Sequence, residues 1–250
     1  MVIKASNVVV EYTGGLKGLN NASLEIMENK VTCLMGPNAS GKTTLLRALA
    51  RLVGYKGSIL IDGREVSKTP LTVLSRILSY GSQQTISTSL QLQVREVLEM
   101  ALYPLKNIDV EEAIYNTSIE LGITGLLDRY INELSSGELQ KIVIASALIK
   151  KPRYILLDEP DAHIDTGFKP VLSKTLRKKS GSSTIIIATH DPIFASYTCD
   201  YIVVLRSGSI AFHGWLNELM ENLDVLREVY GVEFMVTEIP GGMRIIIPYY

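Results

Sequence analysis

The chain has 250 residues, and its 25 lysines and arginines against 26 aspartates and glutamates give a net charge of −1. This length allows one large domain or two small ones with a core that needs no covalent or metal support. The balanced charge disfavours nucleic acid as a partner, because proteins that bind it usually present a basic field. Hydrophobic residues make up 46% of the chain, which suits a buried sheet.

Three further features predict a protein that works inside the cell. The opening MVIKASNVVVEY lacks the basic start, apolar run and cleavage site of a signal peptide. The longest apolar run, IVIASALI, is shorter than the ~20 residues that cross a bilayer. The only two cysteines are Cys33 and Cys199, so we expect no disulfide framework, a reducing interior and two inert core thiols.

The first part of the chain predicts strands and one strand–loop–helix unit. β-rich runs, IKASNVVVEY and ASLEIM, precede a third, KVTCLM, which leads into GPNASGKTT and then the helical pattern LLRALARL. GSILIDG and RILSY are further strand candidates. From about 85 to 151 the periodicity becomes helical in VREVLEMALY, VEEAIYNTSIEL and ELQKIVIASALI, and Pro152 closes the last helix. This segment predicts an inserted helical subdomain.

The second half returns to β structure. YILLDEP, STIIIATHDP and YIVVLRSG are continuous apolar runs that end at polar residues, as buried parallel strands do. VEFMVTEIPGGMRIIIPYY alternates around PGG and predicts a terminal hairpin. The order of elements predicts an α/β fold with a mostly parallel sheet and an antiparallel β portion near the N-terminus. Catalytic loops belong at the ends of such parallel strands.

The segment GPNASGKTT matches the phosphate-loop pattern G-x-x-x-x-G-K-[ST] and lies between a strand and a helix, where that pattern must lie. Its backbone N–H groups can wrap a triphosphate, while Lys42 reaches the β- and γ-phosphates and Thr43 offers its hydroxyl to Mg²⁺. A glycine-rich turn is the alternative. Such a loop predicts a phosphate-loop NTPase core but leaves kinase, GTPase and transport ATPase open. The predicted ATP-binding residues are Gly36, Pro37, Asn38, Ala39, Ser40, Gly41, Lys42, Thr43 and Thr44.

Two polar strand ends supply candidates for catalysis. Asp158 ends YILLDEP where it can hold Mg²⁺, and Glu159 follows as a candidate base for the attacking water. A solvated pair of acids at a strand end is the alternative. His190 ends STIIIATHDP, where its imidazole can bond the terminal phosphate and hold the base and water in place. A histidine with a purely structural hydrogen bond is the alternative there.

Two weaker candidates lie at other strand ends. Gln83 follows RILSY and can place an amide near Mg²⁺ or water, although a loop glutamine is usually just solvated. Tyr12 ends an early strand and can stack on a base. The chain has 12 tyrosines, so packing is the default interpretation of any one of them.

The stretch ELSSGELQ predicts a helix start with an unexpected glycine. Ser135 and Glu138 form an S-x-x-E capping box. Gly137 lies in the first turn, where glycine costs about 1 kcal/mol relative to alanine. Its presence indicates that something approaches the backbone closely.

These segments together resemble the nucleotide-binding subunits of ATP-binding cassette (ABC) transporters. The resemblance rests on the ordered set Tyr12, GPNASGKTT, Gln83, LSSGE, LLDEP, Asp165 and His190. It implies that LSSGE is the family's signature, whose Ser135, Gly137 and Glu138 bind the γ-phosphate of ATP held by an opposite subunit. It also implies that Asp165 contacts that subunit. On this basis the group that approaches the backbone at Gly137 is the ATP of another molecule, and each ATP needs two chains.

The chain departs from the family pattern in three places. Ser136 replaces the usual first glycine of the signature, and Glu138 replaces glutamine. GSQQ lacks the proline often found before the key glutamine, and Gln83 is preferred to Gln84 by its spacing from Tyr80. The predicted division is an ABC ATPase domain over 1–230, with its core at 1–84 and 152–230, a helical subdomain at about 85–151, and a hairpin tail at 231–250.

A narrower resemblance concerns the transport system. ALYP, DEPDAHID and the ending YGVEFMVTEIPGGMRIIIP are similar to the ATPases of iron–siderophore, haem and cobalamin importers. This implies a homodimeric or heterodimeric second cassette subunit, transmembrane permease subunits, an extracytoplasmic solute-binding protein, and a place on the cytoplasmic face of the membrane. The implied cofactors are ATP and Mg²⁺. A soluble ABC ATPase of an assembly machine, such as one for iron–sulfur clusters, is the alternative.

Overall fold

A computed structural model describes residues 3–86 and 91–249. The first two residues, the last residue and positions 87–90 of the predicted helical subdomain therefore lie outside the described residues. The strands are β1 Ile3–Glu11, β2 Lys17–Ile26, β3 Val31–Met35, β4 Lys56–Ile61, β5 Arg64–Glu65, β6 Leu78–Gly81, β7 Tyr154–Asp158, β8 Thr184–Ala188, β9 Tyr201–Arg206, β10 Ser209–Trp215, β11 Glu233–Ile239 and β12 Met243–Tyr249.

The helices complete the description of the elements. They are α1 Lys42–Leu49, α2 Leu71–Ile77, α3 Val94–Leu102, α4 Val110–Leu121, α5 Ser136–Leu148, α6 Phe168–Lys179, α7 Pro192–Thr198, α8 Leu216–Glu221 and α9 Asp224–Tyr230. Short 3₁₀ turns lie at Val66–Lys68, Gln83–Thr85, Thr124–Leu126 and Ile131–Glu133. Within the described ranges, no helix is long and apolar enough to span a membrane.

The fold is α/β, as predicted. A six-stranded sheet has the order β10-β9-β3-β8-β7-β6 and is parallel except for β10, which pairs antiparallel with β9. A second sheet, β2-β1-β4-β5, is antiparallel and forms the N-terminal β portion. β11 and β12 pair as an antiparallel hairpin.

The apolar strands are continuous because the parallel sheet is covered on both faces. In β3, Val31, Cys33 and Met35 enter the core on the side of α3 to α7, whereas Leu34 enters the core shared with α1 and the antiparallel sheet. α3, α4 and α5 lie between β6 and β7 in the chain, and they pack on one another and on the first of these cores. The carboxyl ends of β3, β6, β7 and β8 consequently meet at one edge, where the phosphate loop, Gln83, Asp158, Glu159 and His190 lie.

The strand predicted at RILSY is partly wrong. Residues up to Ile77 belong to α2, and β6 begins only at Leu78. Apolar residues at this junction fit either a helix or a strand, because a short apolar run has no distinguishing period. The pairing of Leu78 with Tyr154, in parallel with β7, decides where the strand begins.

The expectation of two separate cysteine thiols is also wrong. Cys33 in β3 and Cys199, just after α7, form a disulfide with their Cα atoms 5.9 Å apart. Both residues are buried, as predicted. The 166 residues between them hide the contact from sequence patterns, since α7 packs over β3 only in the folded sheet.

Candidate functional site

The phosphate loop connects the end of β3 to the start of α1 through a backbone that few residues can adopt. Gly36, Ala39 and Gly41 all have positive φ, at 146°, 61° and 109°. A Cβ on Gly41 would lie 2.7 Å from the carbonyl oxygen of Gly18. Glycine is therefore required at 41, which keeps the loop wrapped around the first turn of α1 and its free N–H groups.

Lys42 is held inside this loop. Its side chain is only 5% exposed, and Nζ donates to the carbonyl oxygens of Gly36 at 2.7 Å and Pro37 at 2.9 Å. Burial lowers the pKa of Lys42, and the nearby carboxylates of Glu159 and Asp158 partly offset that shift. A buried cation beside uncapped helical N–H groups makes a site for an anion.

Asp158 lies directly opposite Thr43. Thr43 Oγ1 donates to Asp158 Oδ1 at 3.0 Å, and the Tyr80 hydroxyl donates to Oδ2 at 3.2 Å. Burial raises the pKa of Asp158, while these two hydrogen bonds lower it. A paired hydroxyl and carboxylate fit the oxygen donors that Mg²⁺ takes, with the remaining positions left to water and substrate phosphate. The described residues contain no cluster of three or more histidine, cysteine or acidic side chains able to hold a metal alone.

Glu159 has an unusual backbone. Its φ is 49°, in the left-handed region that few non-glycine residues occupy. Its N–H donates to the carbonyl of Ala188 at 2.9 Å, and its own carbonyl accepts from Gln140 Nε2 at 3.0 Å. His190 Nδ1 lies 3.8 Å from Glu159 Oε1, and both side chains are about half exposed. The two candidates for catalysis thus lie side by side at the surface, and Glu159 lines a cavity there.

Both glutamines after β6 lie on that cavity, which has a volume of about 310 Å³. Gln83 Nε2 donates to the carbonyl of Ser136 at 3.4 Å, whereas the side-chain oxygen of Gln84 accepts from Arg47. The role of Gln83 stays a prediction. The lining consists of Thr43, Ser82, Gln83, Gln84, Gln140, Asp158, Glu159, Ala162 and His163.

Tyr12 lies beside the phosphate loop. Its hydroxyl is 3.1 Å from Thr44 Oγ1, so the ring is anchored at the first turn of α1. A neighbouring cavity of about 200 Å³ joins it to the loop and to Glu159. That cavity is lined by Tyr12, Leu16, Lys17, Gly18, Asn38, Ala39, Ser40, Gly41, Lys42, Thr43, Thr44 and Glu159.

The capping box of α5 is present as predicted. Ser135 Oγ accepts from the N–H of Glu138 at 3.3 Å, and Glu138 Oε2 accepts from the N–H of Ser135 at 2.9 Å. Arg129 NH1 pairs with Glu138 Oε1 at 2.9 Å. These contacts lower the pKa of Glu138, and the hydrogen bond from the Ser135 N–H has the largest effect.

Gly137 does face a close neighbour, but that neighbour belongs to the same chain. A Cβ built on Gly137 would lie 2.8 Å from the carbonyl oxygen of His163. α5 makes a second contact with the loop that contains His163 and Asp165, because Lys141 Nζ lies 3.1 Å from Asp165 Oδ2. The close approach predicted at Gly137 therefore has a cause within one chain, and contact with another subunit's ATP stays a prediction. Asp165 is 62% exposed, in keeping with a residue that can meet a partner.

The ABC transporter family model matches residues 19–162, a span that includes the phosphate loop, LSSGE, Asp158 and Glu159. The chain belongs to the ABC transporter family. Membership implies an ATP-binding subunit that hydrolyses ATP. This ABC subunit is 34% identical over 233 residues to a putative ABC transporter ATP-binding protein of Archaeoglobus fulgidus, covering 91% of this chain and 96% of that one.

A second relative and a solved structure are also similar to this chain. The subunit is 29% identical over 249 residues to the petrobactin import ATP-binding protein YclP of Bacillus subtilis, covering 95% of this chain and 96% of the relative. A solved ATP-binding subunit of an ABC transporter superposes with a TM-score of 0.79 at 20% identity, covering 92% of this chain and 98% of that structure. At that identity the superposition supports the fold alone.

Three residues of this ABC subunit's site escaped the sequence analysis. Tyr80 donates to Asp158, Gln140 donates to the carbonyl of Glu159, and Thr189 Oγ1 donates to Asp161 at 2.8 Å. Gln140 carried a detectable signal, since it is a polar residue within the apolar periodicity of ELQKIVIASALI and is 1% exposed. A buried amide of this kind needs a partner, and here the partner is the backbone of the candidate base.

Proposed function

We propose that this subunit hydrolyses Mg²⁺-bound ATP to power solute import through a separate membrane permease, by closing as a dimer on ATP and opening after hydrolysis. One observation carries the proposal. Ser135, Gly137 and Glu138, all among the described residues, line neither the cavity at the phosphate loop nor the one at Glu159. In the proposed closed dimer, the signature of one chain meets the nucleotide held by a second chain.

The residues of the phosphate loop bind the triphosphate in this account. Lys42 and the free N–H groups at the start of α1 neutralise phosphate charge, and the Tyr12 ring stacks on the base. Thr43 and Asp158, with Gln83 nearby, hold Mg²⁺, which supplies charge neutralisation on the phosphates when it is bound.

The carboxylate of Glu159 is the general base. It takes a proton from the attacking water at a carboxylate oxygen, and the exposure of its side chain lets water reach it. His190, 3.8 Å away, hydrogen-bonds the terminal phosphate and keeps the carboxylate and the water in line. Backbone hydrogen bonds hold Glu159 in place, and its side chain lines the cavity.

The signature completes the site from the opposite subunit. The N-terminus of α5 offers N–H groups and the positive end of the helix dipole to a γ-phosphate. Ser135 caps its own helix in the open state and exchanges that bond for phosphate in the closed state. Asp165 contacts the opposite subunit and links the two sites. The partner is a second cassette subunit, either identical or related.

The cargo class we propose is a metal chelate or a related small solute. The relative named for petrobactin import and the similar motifs ALYP and DEPDAHID support this class. The subunit then works at the cytoplasmic face of the membrane with permease subunits and an extracytoplasmic solute-binding protein. The relatives described above carry import or transport in their names, so an assembly ATPase is not favoured.

Size-exclusion chromatography of Glu159→Gln tests the proposal. We expect a monomer without nucleotide and a dimer with saturating ATP and Mg²⁺, because the dimer binds ATP that the variant does not consume. EDTA should abolish both hydrolysis by the wild type and dimer formation. A monomer that persists with ATP at tens of micromolar protein contradicts a self-pairing cassette, and co-purification with a soluble scaffold instead of membrane proteins contradicts the transport role.

A further inference from the structure

The two loops that carry Glu159 and His190 are joined by a buried hydrogen bond. Thr189 Oγ1 donates to Asp161 Oδ2 at 2.8 Å and accepts from the N–H of Asp191 at 3.0 Å. Thr189 is fully buried and Asp161 is 5% exposed. The hydroxyl lies one residue before His190, and the carboxylate lies two residues after Glu159.

This arrangement is costly for a group that serves stability alone. Asp161 Oδ1 has no hydrogen-bond partner among the described residues. Burial raises the pKa of Asp161, and the Thr189 bond offsets the shift only in part. A buried polar atom left unpaired costs about 1–3 kcal/mol. Such groups often persist because they position something else.

The bond lies next to a second tie between the same loops. The N–H of Glu159 donates to the carbonyl of Ala188, the residue before Thr189. The side chains of Glu159 and His190 are 40% and 54% exposed, so packing does not hold them in place. Their spacing must come from the backbone, which these two ties help to fix, together with the bonds from the Thr189 N–H to the Leu34 carbonyl and from Gln140 to the Glu159 carbonyl.

We propose that Thr189 and Asp161 are a positioning pair that sets the spacing of His190 and Glu159 during ATP hydrolysis. The inference rests on the proposed function, because it assigns those two side chains to the reaction. Neither member of the pair lines the cavity at the phosphate loop or the one at Glu159. Without the hydroxyl, the loop after β8 loses one of its ties to the loop after β7, and a misplacement of about 1 Å at a reacting group can cost about 100-fold in rate.

Two substitutions at Thr189 separate positioning from stability. Thr189→Val keeps the shape and removes the hydroxyl, whereas Thr189→Ser keeps the hydroxyl. We expect kcat to fall at least tenfold in Thr189→Val, with KM for ATP changed less than about twofold, and Thr189→Ser to restore most of the rate. A purely structural role would lower the melting temperature of Thr189→Val and leave kcat per folded molecule unchanged.

A double-mutant cycle tests the route through His190. If the pair acts by placing the imidazole, Thr189→Val should slow the His190→Ala variant less than about twofold. A further tenfold loss in that background would overturn the assignment. Should Thr189→Val fail to fold, Asp161→Asn, which can still accept the bond, and Asp161→Leu, which cannot, make the same comparison.

The outcomes distinguish this inference from the proposed function. A wild type without ATPase activity, or a fully active Glu159→Gln, contradicts the proposed function. An active wild type with an inactive Glu159→Gln and a folded, fully active Thr189→Val contradicts only the positioning pair. Loss of kcat in Thr189→Val with rescue by serine supports both.

Discussion

The first turns of α1 and α5 are both suited to an anion, but they use their backbone N–H groups differently. α1 begins after Gly41 without a side-chain cap, so its N–H groups are free for phosphate. α5 has a complete capping box from Ser135 and Glu138. Such a cap contributes about 1 kcal/mol to a helix, and a phosphate arriving at α5 must replace it.

The surroundings of the two helix starts differ as well. Lys42 is buried in the phosphate loop, whereas Ser135 and Ser136 are exposed. One site is built to hold a nucleotide in a single chain, and the other is stable when empty. If the signature meets the phosphate of a second chain as proposed, it contributes affinity only in the closed dimer, and ATP is then the agent that closes the dimer.

The largest effect should come from the α1 side of the comparison. Glu159→Gln removes the base and keeps the size of the side chain, so we expect turnover to fall at least 100-fold, within the usual 10²–10⁴-fold worth of a general base. ATP binding should stay within about twofold, since α1 and Lys42 are untouched. Steady-state ATPase assays and nucleotide titration measure the two quantities. Glu221→Gln, at an exposed position, is the control, and near-wild-type turnover in Glu159→Gln would remove Glu159 from this role.

The next effect concerns α5. Ser136 is the first helical residue, where aspartate favours the helix dipole by about 0.3–1 kcal/mol. In Ser136→Asp we therefore expect a stable monomer with normal ATP binding. Two like charges 4 Å apart near a surface repel by about 4 kcal/mol, so hydrolysis should fall at least tenfold.

The matched control for that change is Thr72→Asp. It adds the same charge in the first turn of α2, at an exposed residue outside the site. Hydrolysis should be unchanged there. Equal activity of Ser136→Asp and Thr72→Asp would contradict the different use of the two helix starts.

Much of the site around the phosphate loop was predictable from sequence, because its chemistry is local. Lys42 and Thr43 follow one motif, and a continuous apolar run places Asp158 at a strand end. At the start of α5, the sequence predicted only the capping box. The contact of Gly137 with His163 and the bond from Gln140 to Glu159 join residues that only the packed fold brings together. Ile77 and Leu78 fit a helix and a strand equally well, so the sequence did not show that α2 ends and β6 begins between them.

The disulfide below the phosphate loop supplies a third prediction. Cys33 fixes β3, which leads into the phosphate loop, to Cys199. Reduction, or Cys33→Ala with Cys199→Ser, should lower the free energy of unfolding by about 2–4 kcal/mol, which is several degrees in melting temperature for a chain of this size. The reductant should have no further effect on the double variant. Two alkylated cysteines after unfolding of unreduced protein would contradict the pairing.

The smallest effect should come from a buried lysine at the end of α5. Lys150, just past α5, donates to the carbonyls of Ser75 at 2.5 Å and Leu78 at 2.9 Å. Burial lowers its pKa to about 8, so the folded protein releases a proton that the unfolded chain retains up to its ordinary pKa of 10.5. Stability of the wild type relative to Lys150→Met should therefore rise as the pH increases from about 8 to about 10.5. Parallel denaturation curves across this window would contradict the shift.

Mixing two variants tests most directly whether one ATP is served by two chains. Glu159→Gln retains an intact signature, and Ser136→Asp retains an intact base. When they are combined in equal amounts before ATP is added, half of the dimers should be mixed, and each should contain one complete site, giving about a quarter of the wild-type rate. Each variant alone should stay nearly inactive. A mixture no faster than the mean of the two separate variants would contradict the shared site.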